Sequence, residues 1–449
     1  MDRRAFIRRG GAAALLGSLA GCPGRTSTDE PTESSSATPT ATPTETPPRS
    51  VSPPASSTHA PSPSPTATPE PSVDRPVLFN SPAKIEALKA RIDAGDQPWT
   101  RAFEEMKEDA DRALNATPRS VIDNGAPAGV DDPHKYGSDA PYQERDGVFS
   151  DDINREDYQA ALDMKDWIRN TAQAYRFTGC DEYARKSIDL LAEGFIDEET
   201  RMYPSVRNFG PHTEGLKAQN SIEHYIFVPA MVYGAALVRN HPYWEERIGT
   251  KDQSVEGWMR EFQSSLESGA HGGIPSDEIH KWWVTTRLLV AGYLGDMDAF
   301  EGACEDWRTR VTQDFTRQGT FERDRGRSRG LFYSLSAMNA LTLGAEVARH
   351  HGVDLYGYTK DNMSLSLLQI SHRFHAEFMQ TPSEWPWQER DGLDTSELRY
   401  GAVSYELCYS RWQTESYWDA IVAAGRPVHD RRILGYATLT HGNLFDLEY

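Results

Sequence analysis

The chain has 449 residues, a formal net charge of −20 and 38% hydrophobic residues. An acid excess of this size disfavours a nucleic-acid-binding protein, whose affinity comes from basic surface. No apolar run approaches the ~20 residues that a spanning helix needs, and the mean hydropathy is −0.64, so a polytopic membrane protein is excluded.

Residues 1–22 read as an address. Arg3 and Arg4 precede Phe6 and Ile7, and a short apolar run follows from Ala12 to Ala20, the pattern of a twin-arginine export signal. The run ends in Leu19-Ala20-Gly21-Cys22, which resembles a lipobox. The Cys22 thiol would then be lipidated and become the new N-terminus, whereas the plainer alternative is a cleaved signal with an incidental cysteine. The expectation is export in the folded state and a lipid anchor at Cys22 on the outer face of the cytoplasmic membrane, the only membrane contact foreseen. The remaining Cys180, Cys304 and Cys408 are odd in number and have no C-x-x-C spacing, so they read as core thiols rather than a disulfide framework.

Residues 23–75 hold 13 of the 28 prolines, with Ser and Thr filling most of the remainder. Such a stretch cannot bury a core and is expected to be a disordered, semi-extended stalk. The address carries +3 and the stalk −3, so residues 76–449 keep the whole −20. That acidity suits a salt-rich, halophilic setting, where a hydrated anionic surface stays soluble. It also requires the site for any polyanionic substrate to be a local basic island.

From residue 76 onward the pattern is helical. Tyr158, Ala161, Leu162, Trp167, Ile168, Ala172 and Tyr175 fall at helical spacing, the run stops at Thr178-Gly179, and Tyr183 to Leu191 restarts it, which predicts a helical hairpin. Further helices are predicted at about 222–240, 254–268, 280–294, 297–315, 333–351, 360–379 and 414–424, with no convincing β-alternation. The fold class is therefore all-α. Hairpins stacked into an (α/α) toroid, or incomplete barrel, would bury this many amphipathic helices in one domain over 76–449 and leave a cleft at one end. A helical solenoid is the competitor, and no fixed-period repeat supports it.

The chemistry concentrates in Gly319 to Met338. Four arginines, Arg323, Arg325, Arg327 and Arg329, alternate through a loop that leads to Tyr333, an unusual density of cations in so acidic a domain. With its continuation through Gly352-Val353-Asp354-Leu355, the segment resembles the alginate lyase family of polysaccharide lyases. Two other stretches carry the same resemblance. His134-Lys135-Tyr136 with Pro141-Tyr142 and Arg145-Asp146-Gly147 is similar to the family's lid segment, and Trp385-Pro386-Trp387 is similar to its C-terminal Trp-Pro-Tyr. Residues 277–283, Asp-Glu-Ile-His280-Lys-Trp-Trp283, match the family's Asn-Asn-His segment in the His and the Trp. The two asparagines are replaced by Glu278 and Ile279, which loses an amide donor and adds negative charge where a uronate would sit.

The resemblance implies β-elimination on a 4-O-linked uronate polymer such as alginate, with no cofactor. The C5 proton is removed, the C4 oxygen leaves, and a donor neutralises the adjacent carboxylate. Tyr333 is then the base, the acid or both, with an arginine favouring its phenolate. Arg329 is the catalytic arginine, and His280 is a base for one epimer or an orienting donor. Arg327, Arg325, His134, Lys135, Tyr136, Tyr142, Trp283, Asn220 and Trp385 are candidate substrate-binding residues, the aromatics as platforms for sugar rings. The expected partner is an anionic polysaccharide and not nucleic acid. No metal site is expected, because His372 with His375 and His350 with His351 lack a third ligand of matching spacing. Two alternatives stay open: a toroid glycoside hydrolase using Asp277, Glu278, Glu322 or Glu384, and a surface polysaccharide-binding protein without catalysis.

Overall fold

The computed structural model of the protein describes residues 78–443, apart from 139–141, 145–147, 150–153, 210–222, 250–253, 270–276, 310–311 and 361. The address with Cys22, the stalk and Asn220 lie outside the described residues, and of Tyr142 only the backbone is described. Helices α1 (Pro82–Asp93) and α2 (Trp99–Leu114) come first. The next hairpin joins α3 (Glu156–Thr178) to α4 (Asp181–Phe195) through Gly179, whose φ of 72° closes the α3 C-terminus, as the Thr178-Gly179 stop predicts. There follow α5 (His224–Val238), α6 (Pro242–Arg247), α7 (Val255–Gly269), α8 (Glu278–Leu294), α9 (Met297–Thr309), α10 (Glu322–Arg325), α11 (Gly330–His350) and α12 (Leu367–Gln380). The chain ends with α13 (Thr395–Gly401), α14 (Val403–Trp412), α15 (Glu415–Ala424) and α16 (Ala437–His441). Two short antiparallel hairpins, β1 (Tyr142–Glu144) with β2 (Val148–Phe149) and β3 (His429–Asp430) with β4 (Gly435–Tyr436), interrupt this pattern.

Two layers result. Helix α3 packs on α5, α5 on α8, α8 on α11 and α11 on α14, while α4, α7, α9, α12 and α15 lie against this inner series. Inner helices are buried nearly all round; in α11 every residue from Ser334 to Ala348 is buried, which fits apolar composition on all faces. Several of their polar side chains bond across the interfaces. Trp282 Nε1 donates to Ser336 Oγ at 3.0 Å, Thr285 Oγ1 to the Ala340 carbonyl at 2.7 Å, and Asn339 Nδ2 to the Tyr400 carbonyl at 2.7 Å. Close approach of α5 to α3 depends on Gly234, where a Cβ would stand 2.7 Å from Ile168 Cγ2. The C-terminus closes the ring on the N-terminal helices: α16 packs on α2, Trp99 Nε1 donates to the Gly442 carbonyl at 2.9 Å, and Gln173 Nε2 donates to the Leu434 carbonyl at 2.8 Å.

This is the (α/α) toroid that the hairpin pattern predicts. The boundaries differ where local chemistry intervenes. The helix expected over 297–315 ends at Thr309, and the one expected from 360 starts at Leu367, where Ser366 and Gln369 form a capping box. Helices α1, α2, α6, α10, α13, α14 and α16 and the two hairpins were not anticipated from periodicity. No described helix is long and apolar enough to cross a membrane. Cys304 and Cys408 are buried free thiols, as expected.

Candidate active site

Inner helices meet at their N-terminal ends. Arg155, just before α3, pairs with Glu223, just before α5, at 2.8 Å; Glu278 at the start of α8 pairs with Arg327, just before α11; and Phe332 in the first turn of α11 packs at 6.0 Å on Tyr400, just before α14. A rim built from helix N-termini carries partial positive charge and favours an anion.

The α8 corner rests on a buried charge network. Asp277 caps the helix by accepting from Ile279 N at 3.2 Å. Glu278 N donates to Asp324 Oδ1 at 2.7 Å, and Lys281 Nζ lies 2.8 Å from Asp324 Oδ2 and 3.5 Å from Asp314. Burial pushes the Asp324 carboxyl up to about 7, against the pull of Lys281. Burial also acts to discharge Lys281, but Asp324 and Asp314 outweigh it and hold the ammonium above its usual range. Burial likewise raises the Glu278 carboxyl, with Arg327 opposing. The expectation that Glu278 presents a bare negative charge to the substrate is corrected here: it is 2% exposed and paired to Arg327.

The four arginines divide, with Arg323 exposed on α10. Arg327 lies with its Cζ 3.3 Å from the centroid of the Tyr333 ring while holding Glu278, so one guanidinium links the α8 start to the phenol. Arg329, the expected catalytic arginine, turns away. It forms a two-pronged pair with Glu397, both contacts at 2.9 Å, and reaches Glu389 at 3.2 Å, over the ring of Phe332 rather than Tyr333. Glu389 in turn caps α11 by accepting from Leu331 N at 2.9 Å and Phe332 N at 3.1 Å. Arg329 is thus a structural clasp, because two carboxylates from 60 and 68 residues away claim it. Arg325 lies 4.7 Å over Trp387 and donates to Thr320 Oγ1 at 2.8 Å. The backbone bonds Gly330 N to Gln388 O and Arg390 N to Ser328 O, both 2.8 Å, run the Gln388–Arg390 segment alongside the arginine loop through an isolated bridge between Arg329 and Glu389.

Tyr333 and His280 are both half-buried in the first turns of the adjacent helices α11 and α8. The His280 ring sits 5.1 Å from Trp283. Three expected sugar platforms are corrected. Trp283 is 1% exposed, its indole donating to the Leu266 carbonyl at 3.1 Å and its ring covered by Arg287 at 4.6 Å. Tyr136 is 1% exposed, donates to Glu223 and packs on His224 at 4.7 Å. Trp385 stacks on His375 at 5.5 Å within the Phe374, Phe378 and Trp387 cluster. Large aromatics at these positions do core work. His134 bonds the Arg201 carbonyl at 2.8 Å and lines a cavity of about 220 Å³ with Asp132, Arg201, Tyr203, Trp258 and Glu261, none of which belongs to the Tyr333 group. Lys135 faces Phe209 at 5.2 Å and Asp132 at 3.9 Å.

Sequence spacing could not announce Asp324, Glu389 and Glu397 as partners, since each is an ordinary acid until the fold delivers it. Among the described residues no group of three or more His, Cys, Asp or Glu could hold a metal ion. His372 and His375 spend their Nδ1 atoms on the Leu368 and Ser371 carbonyls at 2.7 and 2.9 Å.

A helical toroid whose inner N-termini gather a phenol, an imidazole and guanidinium groups is the framework of a polysaccharide lyase. The chain belongs to the alginate lyase family: the family described as Alginate lyase matches residues 91–385. Solved structures agree on the fold. The alginate lyase from Bacteroides ovatus superposes with a TM-score of 0.67 at 18% identity, covering 82% of this chain and 99% of that one. Alginate lyase A1-III from Sphingomonas species A1 does so at 0.55 and 15% identity, covering 81% and 97%, and a variant of A1-III solved with a tetrasaccharide superposes at 0.54. No curated protein matches by sequence.

Proposed function

We propose that the protein cleaves alginate-like 4-O-linked uronate polymers by β-elimination at the rim, with Tyr333 as the proton-transfer group. The observation that carries this reading is the Arg327 guanidinium lying 3.3 Å over the Tyr333 ring. A cation held against the ring favours the phenolate. The phenolate takes the C5 proton, the C5–H electrons form the C4–C5 double bond, and the C4–O bond breaks. The phenol then returns its proton to the departing C4 oxygen, so a single side chain serves as base and acid. His280, in the first turn of the adjacent helix, orients the sugar. Arg329 is reassigned from catalysis to holding the loop.

A hydrolase reading needs two opposed carboxylates able to act as acid and base. Asp277 and Glu278 are committed to a cap and an ion pair, and Glu322 and Glu384 are exposed. A binding protein without catalysis is separated by experiment. Incubation with polymannuronate or polyguluronate is expected to give rising ultraviolet absorbance from unsaturated uronate ends. Tyr333→Phe is expected to lower that rate at least about a thousandfold at unchanged unfolding temperature. Full activity in Tyr333→Phe would overturn the assignment.

Export through the twin-arginine pathway, lipidation at Cys22 and an extracellular, salt-rich working environment are proposed from residues 1–75 and the charge balance. They would place the lyase where polymer too large to enter a cell is met.

A further inference from the structure

The site as described lacks a cation for the substrate's carboxylate. Arg327 is held by Glu278, Arg329 by Glu389 and Glu397, and Arg325 by Thr320 and Trp387. Ile279 and Glu278 occupy the positions where the resemblance expects amides. Elimination next to a carboxylate needs that charge offset, because the developing enolate otherwise adds a second negative charge to the first.

We infer that Arg432, on the β3–β4 turn, is the carboxylate-binding residue of this enzyme, an inference that rests on the lyase reading above. The turn is pinned from below. Asp430, fully buried, accepts from Arg432 N at 2.9 Å, Ile433 N at 2.9 Å and Leu434 N at 2.7 Å, which fixes the backbone from which Arg432 projects. The guanidinium lies 4.3 Å over the ring of Trp282, one turn into α8 and buried. Its charge acts on Glu278, on Tyr158 in the first turn of α3 and on Tyr400 before α14, so it stands among the same helix N-termini that form the rim. Its Nη1 is enclosed without a hydrogen-bond partner, and among the described residues its side chain makes no ion pair or hydrogen bond.

That combination is unusual. An enclosed donor left unsatisfied is destabilising, and a guanidinium is normally matched to carboxylates in two-pronged fashion. The residue is half-buried overall, so its aromatic support is fixed while Nε and Nη2, which are not enclosed, remain uncommitted, as a preorganised receptor for a planar carboxylate requires. Arg432 lies outside both the 91–385 family match and the stretches that carry the sequence resemblance.

The test uses Arg432→Met, which keeps an unbranched stem on Trp282 without the charge, and Arg432→Lys. Binding is measured by calorimetry in a Tyr333→Phe background, with a mannuronate tetrasaccharide and with the same tetrasaccharide after reduction of its carboxyls to alcohols. Expected is a tenfold or greater weakening for the acidic probe in Arg432→Met, a smaller one in Arg432→Lys, and no change for the neutral probe. Equal losses for both probes would mark a packing role, and no loss for the acidic probe would remove Arg432 from the site; either overturns the inference. A parent that binds the acidic probe through Arg432 yet yields no unsaturated product would overturn the lyase reading and leave the carboxylate receptor standing. Unfolding temperatures of both variants within a few degrees of the parent confirm that the difference arises at the ligand.

Discussion

Arg327 is shared between Glu278 and the face of Tyr333, and this sharing tunes the phenol. Replacing Glu278 by Gln keeps a hydrogen-bond acceptor for Arg327 but removes the charge that offsets it, so the guanidinium favours the phenolate more strongly. The acidic limb of the kcat/KM profile of Glu278→Gln is expected to move about one pH unit lower, and an unmoved or raised limb would separate Glu278 from Tyr333. Arg329 makes the opposite prediction. Its partners Glu389 and Glu397 are 6% and 16% exposed, so Arg329→Gln leaves two largely buried carboxylates with one weak donor. A stability loss of about 2–3 kcal/mol is expected in denaturant titration. A Arg329→Gln enzyme that is fully stable and yet inactive would restore Arg329 to catalysis.

Helices here are placed by burial and stopped by caps. Helix α12 shows how burial becomes pH dependence. Burial pushes the His372 and His375 imidazoles down to about 3 and about 4, whereas in the unfolded chain each titrates near 6.5. A depressed folded-state pKa means that the neutral form contributes full stability above pH 6.5 and that the contribution is lost as the pH falls through the window down to 4 and 3. Between pH 7.5 and 5, His375 accounts for about 2 kcal/mol of that loss. His375→Asn, whose amide can still donate to the Ser371 carbonyl, is expected to lose about that much less than the parent on the same acidification. Equal losses would show that His375 takes up its proton within the fold. At α8 and α11 the same logic explains what periodicity could not supply. The pattern locates Trp282 and Trp283 on a helix, but an apolar aromatic reads alike whether it lines a cleft or fills a core. Only their burial distinguishes the two.

For the whole molecule, the ring and its charge are separable properties. Closure through α16 and the β3–β4 turn brings the last described residues onto α2 and α3 and places Arg432 on the rim. The net charge of −20 does not select this fold; it sets solubility and self-repulsion. Screening that repulsion is expected to raise the unfolding temperature by several degrees between 0.1 M and 2 M KCl. A temperature that falls or stays flat over that range would argue against the proposed salt-rich setting.

Helix hairpins, the all-α class and the position of Tyr333 and His280 near helix starts were legible in the sequence, because 3.6-residue periodicity and glycine stops such as Gly179 are local signals. The family resemblance lay in short stretches whose order survives divergence, and the arginine loop was visible as a dense run of like charge. Which arginine serves the phenol was not legible. Charges at 323, 325, 327 and 329 are equivalent along the chain and become distinct only when Glu278, Glu389 and Glu397 arrive from distant parts of it. Arg432 is one of two adjacent arginines near the C-terminus until ring closure lays it on Trp282. Ion pairs and receptor geometry are long-range in sequence and short-range in space, so tertiary packing alone decides which cations are spent on the fold and which are left for a ligand.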